Sequence, residues 1–237
     1  MSTNNLEVLE KRNAKNKKTS ITAARLCVGI GMFSALAYAV ALICNSFIPP
    51  VDGFLSLDVK DSIIAIASFV YGPISAVPIA LISALIEFLT FSTTGWYGLV
   101  MNFVSSASFS LTASLIYSKR RTFGGSLVGI YSAVAATTAF MILMNIVVTP
   151  FYFGMPVSSV TEMIPVLLLP FNFAKTLLNS AVVVFLYKPL STALSRVGLG
   201  ARSLGKFKWN KTTAISAVAG AVALAVSMTV LLILWLK

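Results

Sequence analysis

Apolar residues along this chain fall into seven runs, and the stretches between them are basic or carry Pro, Gly or Asp. The first run, residues 19–48, follows a polar, basic stretch (1–18, with Lys11, Arg12, Lys15, Lys17 and Lys18) expected to be disordered, and it stops at Pro49-Pro50. It is longer than a signal-peptide core and no small-residue cleavage site ends it, so it reads as a retained span. Residues 51–61 hold Asp52, Asp58 and Asp61 against Lys60 alone and read as an acidic external loop. A short run, 62–71, crosses a bilayer only if it begins near Leu57, and Gly72-Pro73 divides it from the next, 74–91. Later runs cover 96–116, 127–148, 164–186 and 212–236. At about 20 residues per crossing, these lengths predict membrane helices. The linker 149–163 contains Pro150, Gly154 and Pro156 with Phe151, Tyr152 and Phe153, a mix suited to an interfacial loop that caps a site.

The expected architecture is an all-α membrane protein: a basic cytoplasmic tail (1–18), a membrane domain (19–190), a basic linker (191–211) and one further C-terminal helix (212–237). Composition agrees. Of 237 residues 57% are hydrophobic and 11% charged, with mean hydropathy +0.90, whereas a soluble domain carries about a quarter charged residues. A separate soluble catalytic domain has no room. The absence of histidine removes His-based triads and HExxH zinc sites, and the chain is expected not to be an enzyme. Cys27 and Cys44 lie in one expected helix, where 17 residues rise roughly 25 Å, too far for a disulfide, so they read as buried small hydrophobes.

The net charge of +11 raises the question of a nucleic-acid partner, and its distribution answers it. With the N terminus inside, residues 1–25, 119–121 and 188–211 carry fifteen of the eighteen Lys and Arg, and the external segments hold only Lys60 and Lys237. This bias fits seven spans with the N terminus cytoplasmic and the C terminus outside. The basic blocks become orientation signals and contacts for anionic lipid.

Two apparent nucleotide motifs fail. Gly200 to Phe207 opens like a phosphate-binding loop but has Phe207 where a Mg²⁺-ligating Ser or Thr belongs, and no strand precedes it. Gly29-Ile30-Gly31 with Ser34 lies in an apolar helix, where packing accounts for it. Uphill transport would therefore need energy from another chain or from an ion gradient.

Charge at membrane depth is costly and turns inward, which makes Lys175 conspicuous. Asn172, Lys175 and Asn179 share one helix face by their i, i+3, i+7 spacing, and Pro170 frees the carbonyl of Val166. Asn145, Asn102 and Glu87 are the possible partners. One reading pairs Lys175 with Glu87 and lets the asparagines bridge helices. The other makes Asn145, Asn172 and Lys175 line a pocket for a flat, polar or anionic molecule, since amides both donate and accept. In the first span, Gly31, Ala35 and Ala39 recur every four residues, a pattern that lets another helix approach closely, within the chain or from a partner.

Several blocks, Leu169-Pro170-Phe171-Asn172 through Lys175 to Tyr187-Lys188-Pro189-Leu190 above all, with Met144-Asn145-Ile146, Thr149-Pro150 and Tyr152-Phe153-Gly154, resemble the riboflavin-binding S components of energy-coupling factor (ECF) transporters. The Ala35-x-x-x-Ala39 pattern, Pro49-Pro50 through Leu57-Asp58, and Gly72-Pro73 extend the likeness over roughly 22–195. The resemblance implies a six-helix subunit that captures riboflavin as a transported ligand, without cofactor, and partners a transmembrane coupling protein and two cytoplasmic ATPases. It implies flavin contacts at Asn145, Asn172 and Lys175; Asn102 and Asn179, which come from the polar helix faces and not from the resemblance, are further candidates. Loop contributions fall at Leu57 and Asp58, and the coupling-protein face at Gly31, Ala35 and Ala39. Two features depart from the family: the seventh span, and Glu87, where a basic or neutral residue is expected. An S component for another vitamin, a self-sufficient ion-coupled transporter using Glu87 and Lys175, and a ligand-free assembly subunit are the alternatives.

Overall fold

The computed structural model describes residues 3–196 and 211–236, with side chains over 23–187, at 189 and over 217–236. Eight α-helices are found there: α1 (Thr3–Phe47), α2 (Lys60–Tyr71), α3 (Ala76–Thr90), α4 (Gly95–Lys119), α5 (Phe123–Phe153), α6 (Val157–Met163), α7 (Leu169–Arg196) and α8 (Lys211–Trp235). Among the described residues, six helical segments are long and apolar enough to cross a membrane. The fold is thus an all-α membrane bundle, and the chain is a multi-pass membrane protein.

The short run is the exception, and it explains the centre of the bundle. The twelve residues of α2 rise only about 18 Å, yet every residue from Lys60 to Phe69 is buried. Past Ser62 its only polar side chains are Ser68 and the Tyr71 hydroxyl, so this helix has to be surrounded, and α1, α3, α4 and α7 surround it. The preceding loop folds down into the bundle, so α2 begins part-way across. At its far end Tyr71 packs against Gly29, where a Cβ would overlap the phenol ring, and meets Phe33 edge-on with centroids 6.0 Å apart. α2 therefore runs antiparallel to α1 and returns the chain to the level of Gly29. Gly72, at φ 100°, then allows the reversal into Pro73.

Three expectations are corrected here. The basic stretch expected to be disordered begins within α1, because its Leu, Glu, Lys, Asn and Ala residues continue a helical backbone from Thr3. Residues 51–61 are not an exposed acidic loop: Val51 and Leu55 exchange backbone hydrogen bonds at 3.0 Å, and Asp58, Lys60 and Asp61 are all buried. The linker 149–163 is mostly helix. α5 continues through Pro150 to Phe153 and ends at Gly154, whose φ of 64° caps it. α6 then starts at Val157, and only 154–156 remain as a connection. Most of the basic linker 191–211, with the Gly200 to Phe207 segment, lies outside the described residues.

Between α6 and α7 the chain makes a π-helical turn, Ile164–Leu168, in which the Leu169 N–H reaches the Ile164 carbonyl. Pro165 is the second residue of the turn and Pro170 follows two residues beyond its end. Neither has an N–H to give, so the ordinary α ladder cannot continue there, and a widened turn is the physical response.

Close helix contact is built from small residues. Gly129 of α5 sits so near α4 that a Cβ would lie 2.5 Å from the Ala113 carbonyl oxygen. With Gly125 it forms a small-xxx-small pair used inside the chain. α8 packs along α7, and near its end Leu231 joins Val51, Leu55, Leu57, Phe171 and Leu178 in one apolar cluster. Cys27 and Cys44 are free thiols, one exposed and one half-buried, rather than both buried.

Candidate functional site

Asn145 and Asn172 are placed by the second half of α5 and the start of α7, two helices that pack together. With Lys175, one turn further along α7, and Asn102 of α4, they line a cavity of about 80 Å³. Other walls come from Ser105 and Met101 on α4, Met141, Val148 and Thr149 on α5, and Phe171 on α7. Phe54, Tyr97 and Tyr152 close the mouth. Tyr152 stands between them, 5.5 Å from Tyr97 and 6.5 Å from Phe54 by ring centroids, and Phe153 packs edge-on against Phe54 at 4.9 Å. The aromatic segment near Tyr152 does border the site, but as the last turn of α5 and not as a loop.

The two asparagine amides are held by their own helices. Asn145 Nδ2 donates to the Met141 carbonyl at 2.7 Å, and its Oδ1 accepts from Thr149 Oγ1 at 3.0 Å. Asn172 Nδ2 donates to the Leu168 carbonyl, also at 2.7 Å, at the end of the π turn. Each amide is thereby oriented before any ligand arrives, which lowers the entropy lost on binding.

Lys175 does not pair with Glu87. Its Nζ donates to Asp58 Oδ2 at 2.8 Å and to the Ser56 carbonyl at 3.1 Å. Glu87 is taken by Lys60, whose Nζ reaches its Oε1 at 2.6 Å and its Oε2 at 2.5 Å, and Asn102 Nδ2 adds a donor at 3.2 Å. Both ion pairs are buried, and each partner offsets the desolvation of the other. Burial alone pushes the Asp58 carboxyl up. The charges of Lys175 and Lys60, with the bonds they make to it, outweigh that and hold it below the usual carboxylate range.

Of the seven expected ligand contacts, Asn102, Asn145, Asn172 and Lys175 face the cavity, and Leu57, Asp58 and Asn179 do not. Leu57 is packed in the apolar cluster with α8. Asp58 holds Lys175 from behind. Asn179 lies seven residues beyond Asn172, on the same face but about 10 Å deeper, where its Oδ1 accepts from the Ser62 N–H and its Nδ2 donates to the carbonyls of Asp58 and Lys175. It ties the loop and α2 to α7. Phe54, Tyr97 and Met101 were not anticipated, because an aromatic or aliphatic cavity wall has the same residue types as a lipid-facing surface.

On α1, Gly31 and Ala35 are exposed and Ala39 is half-buried, while Ala37 and Ala41, offset by two, pack inward. The stripe Gly31/Ala35/Ala39 is therefore not consumed by packing within the chain.

The bundle and its polar-walled cavity are those of a membrane protein built to bind a small molecule. Residues 25–191 match the family of the ECF transporter, substrate-specific component. The chain belongs to that family. It is 29% identical over 189 residues to the riboflavin transporter RibU of Staphylococcus aureus (strain TCH60), covering 76% of this chain and 98% of that protein. It is 23% identical over 169 residues to the riboflavin transporter FmnP of Bacillus subtilis (strain 168), covering 68% and 88%. A solved S component of a bacterial ECF transporter superposes with a TM-score of 0.61 at 30% identity, over 73% of this chain and 98% of the other. The family match ends before α8.

Proposed function

We propose that this chain captures riboflavin from outside the cell as the substrate-binding subunit of an ECF transporter. The observation that carries the reading is the convergence of Asn102, Asn145, Asn172 and Lys175 on one aromatic-mouthed cavity, in a chain similar to two riboflavin transporters. The dioxo edge of a flavin alternates acceptor and donor. Amides and an ammonium answer both, and Phe54, Tyr97 and Tyr152 cover the rings. Asp58 acts through Lys175, by fixing where its Nζ stands.

The open stripe Gly31/Ala35/Ala39 supports docking of a transmembrane coupling protein, through which two cytoplasmic ATPases would drive reorientation of the subunit. The charge distribution supports an N terminus in the cytoplasm and a C terminus outside. Burial of Lys60 strengthens it, because Lys237 is then the one basic residue left on the external side.

The test is the visible spectrum of protein purified from cells, with titration of riboflavin fluorescence. A bound yellow chromophore or saturable quenching is expected. Absence of both overturns the ligand assignment.

A further inference from the structure

Five ionisable side chains are buried together where α2, α3, α4 and α7 meet: Asp58, Lys60, Asp61, Glu87 and Lys175. Two are cations and three are carboxylates. Lys60 is committed to Glu87 and Lys175 to Asp58. Among the described residues Asp61 has no cation within ion-pair distance, although it is 0% exposed. Ser106 Oγ donates to its Oδ1 at 2.5 Å, and its Oδ2 has no hydrogen-bond partner. The groups facing it from the surrounding elements are Asp58 and Lys60 beside it in sequence, Glu87 on α3, the hydroxyls of Ser106 and Ser110 on α4, and Lys175 on α7. α1 and α5 add no buried charge: the one charged residue of 23–47, Arg25, is exposed, and 123–153 contain none.

From this arrangement we propose that Asp61 is a proton-binding site: the cluster holds one proton from solvent, carried on Asp61 Oδ2, so that its net charge is zero. An ionised Asp61 leaves a carboxylate oxygen without a protein donor, closed off from bulk solvent beside a second acid, Asp58, where desolvation and like charge both oppose it. A proton on Oδ2 removes the charge and leaves Oδ1 accepting from Ser106. The proposal does not depend on the identity of the transported ligand.

Two readouts on the full-length protein in detergent test it. Infrared difference spectra at about pH 7 are expected to show a protonated-carboxyl stretch that Asp61→Asn removes and Glu87→Gln leaves in place. Because the folded state would bind a proton that the unfolded state releases, wild-type stability should fall between about pH 5 and pH 9, up to tenfold in the unfolding equilibrium per pH unit. That fall should flatten in Asp61→Asn, with a melting point at least equal to wild type at the alkaline end. Should Asp61→Asn fail to fold, the wild-type spectrum decides: the band must be present and must shift in Ser106→Ala. A wild-type spectrum without the band overturns the proposal. So does an Asp61→Asn protein of lower alkaline stability paired with a wild type stabilised specifically by sodium or potassium, since a metal cation then occupies the place of the proton.

Discussion

Lys175 and Asp58, 117 positions apart, meet at 2.8 Å with the lysine on the cavity wall and the aspartate behind it. The lysine thus serves two masters, lining the binding space and neutralising the loop. Lys175→Ala is expected to weaken riboflavin binding by about 1–3 kcal/mol through loss of a charge-assisted donor. It should also cost about 3–5 kcal/mol of stability by stranding Asp58. Asp58→Asn combined with Lys175→Met should restore most of the stability and none of the affinity. Fluorescence titration and thermal melts separate the two effects, and restored affinity in the double variant would show that Lys175 makes no ligand contact.

The second pair has no share in the cavity wall. Lys60→Met should destabilise by about 3–5 kcal/mol because Glu87 is left charged and buried. Riboflavin affinity of the folded fraction should be unchanged. An affinity loss without a stability loss would place Lys60 in the ligand site, contrary to its burial beneath α3.

Acid should act through Asp58. A carboxyl held below its ordinary range stabilises the fold at pH values above the unfolded value of about 3.9, and the contribution is lost as pH falls through the folded value. Melts from neutral pH downward should decline below about pH 4, and Asp58→Asn should be less stable at neutral pH but flatter in that window. An identical acid decline in the variant would assign the effect to another carboxylate.

Two glycines predict opposite outcomes. Gly129→Val would drive a side chain into the Ala113 carbonyl and is expected to cost at least 1–3 kcal/mol, about the range for overpacking. Gly31 has open space around it, so Gly31→Leu should melt like the wild type and bind riboflavin normally. Its co-purification with the coupling protein and ATPases should fail. Normal assembly of Gly31→Leu would release the α1 stripe from that role.

Tyr152→Ala removes the ring linking Tyr97 to Phe54 and should weaken binding, with about 0.5–1.5 kcal/mol attributable to each lost aromatic pair, read chiefly as faster dissociation in stopped-flow quenching. Wild-type dissociation would mean that the mouth plays no part in retention.

Helix placement was legible because lipid imposes long apolar runs, and Pro and Gly mark their ends. Asn145, Asn172 and Lys175 stood out because polar groups are rare at that depth. Pairing was not legible. The sequence shows that Lys175 needs an anion but not which carboxylate folds down to it, and the loop 51–61 looked external because three acids in a short stretch usually stay in water. A usable signal was present: Lys60 and Asp61 open a helix with no other charge and few polar residues, and such a helix has no surface to hold them at. Asn179 shared the face of Asn172 by angle, and only its depth along the axis took it out of the cavity and into the loop's support.

The widened turn at Ile164–Leu168 also fixes the rotational phase of α7. A π turn accommodates one residue more than an α turn, and each residue turns the helix by about 100°. Deleting a single residue there would let the ladder close as ordinary α-helix. Closing the ladder with every residue kept would instead swing Asn172 and Lys175 about a quarter-turn around the axis relative to α6. Recognition in this subunit therefore depends on an insertion-length irregularity at Pro165 as much as on the side chains it aims.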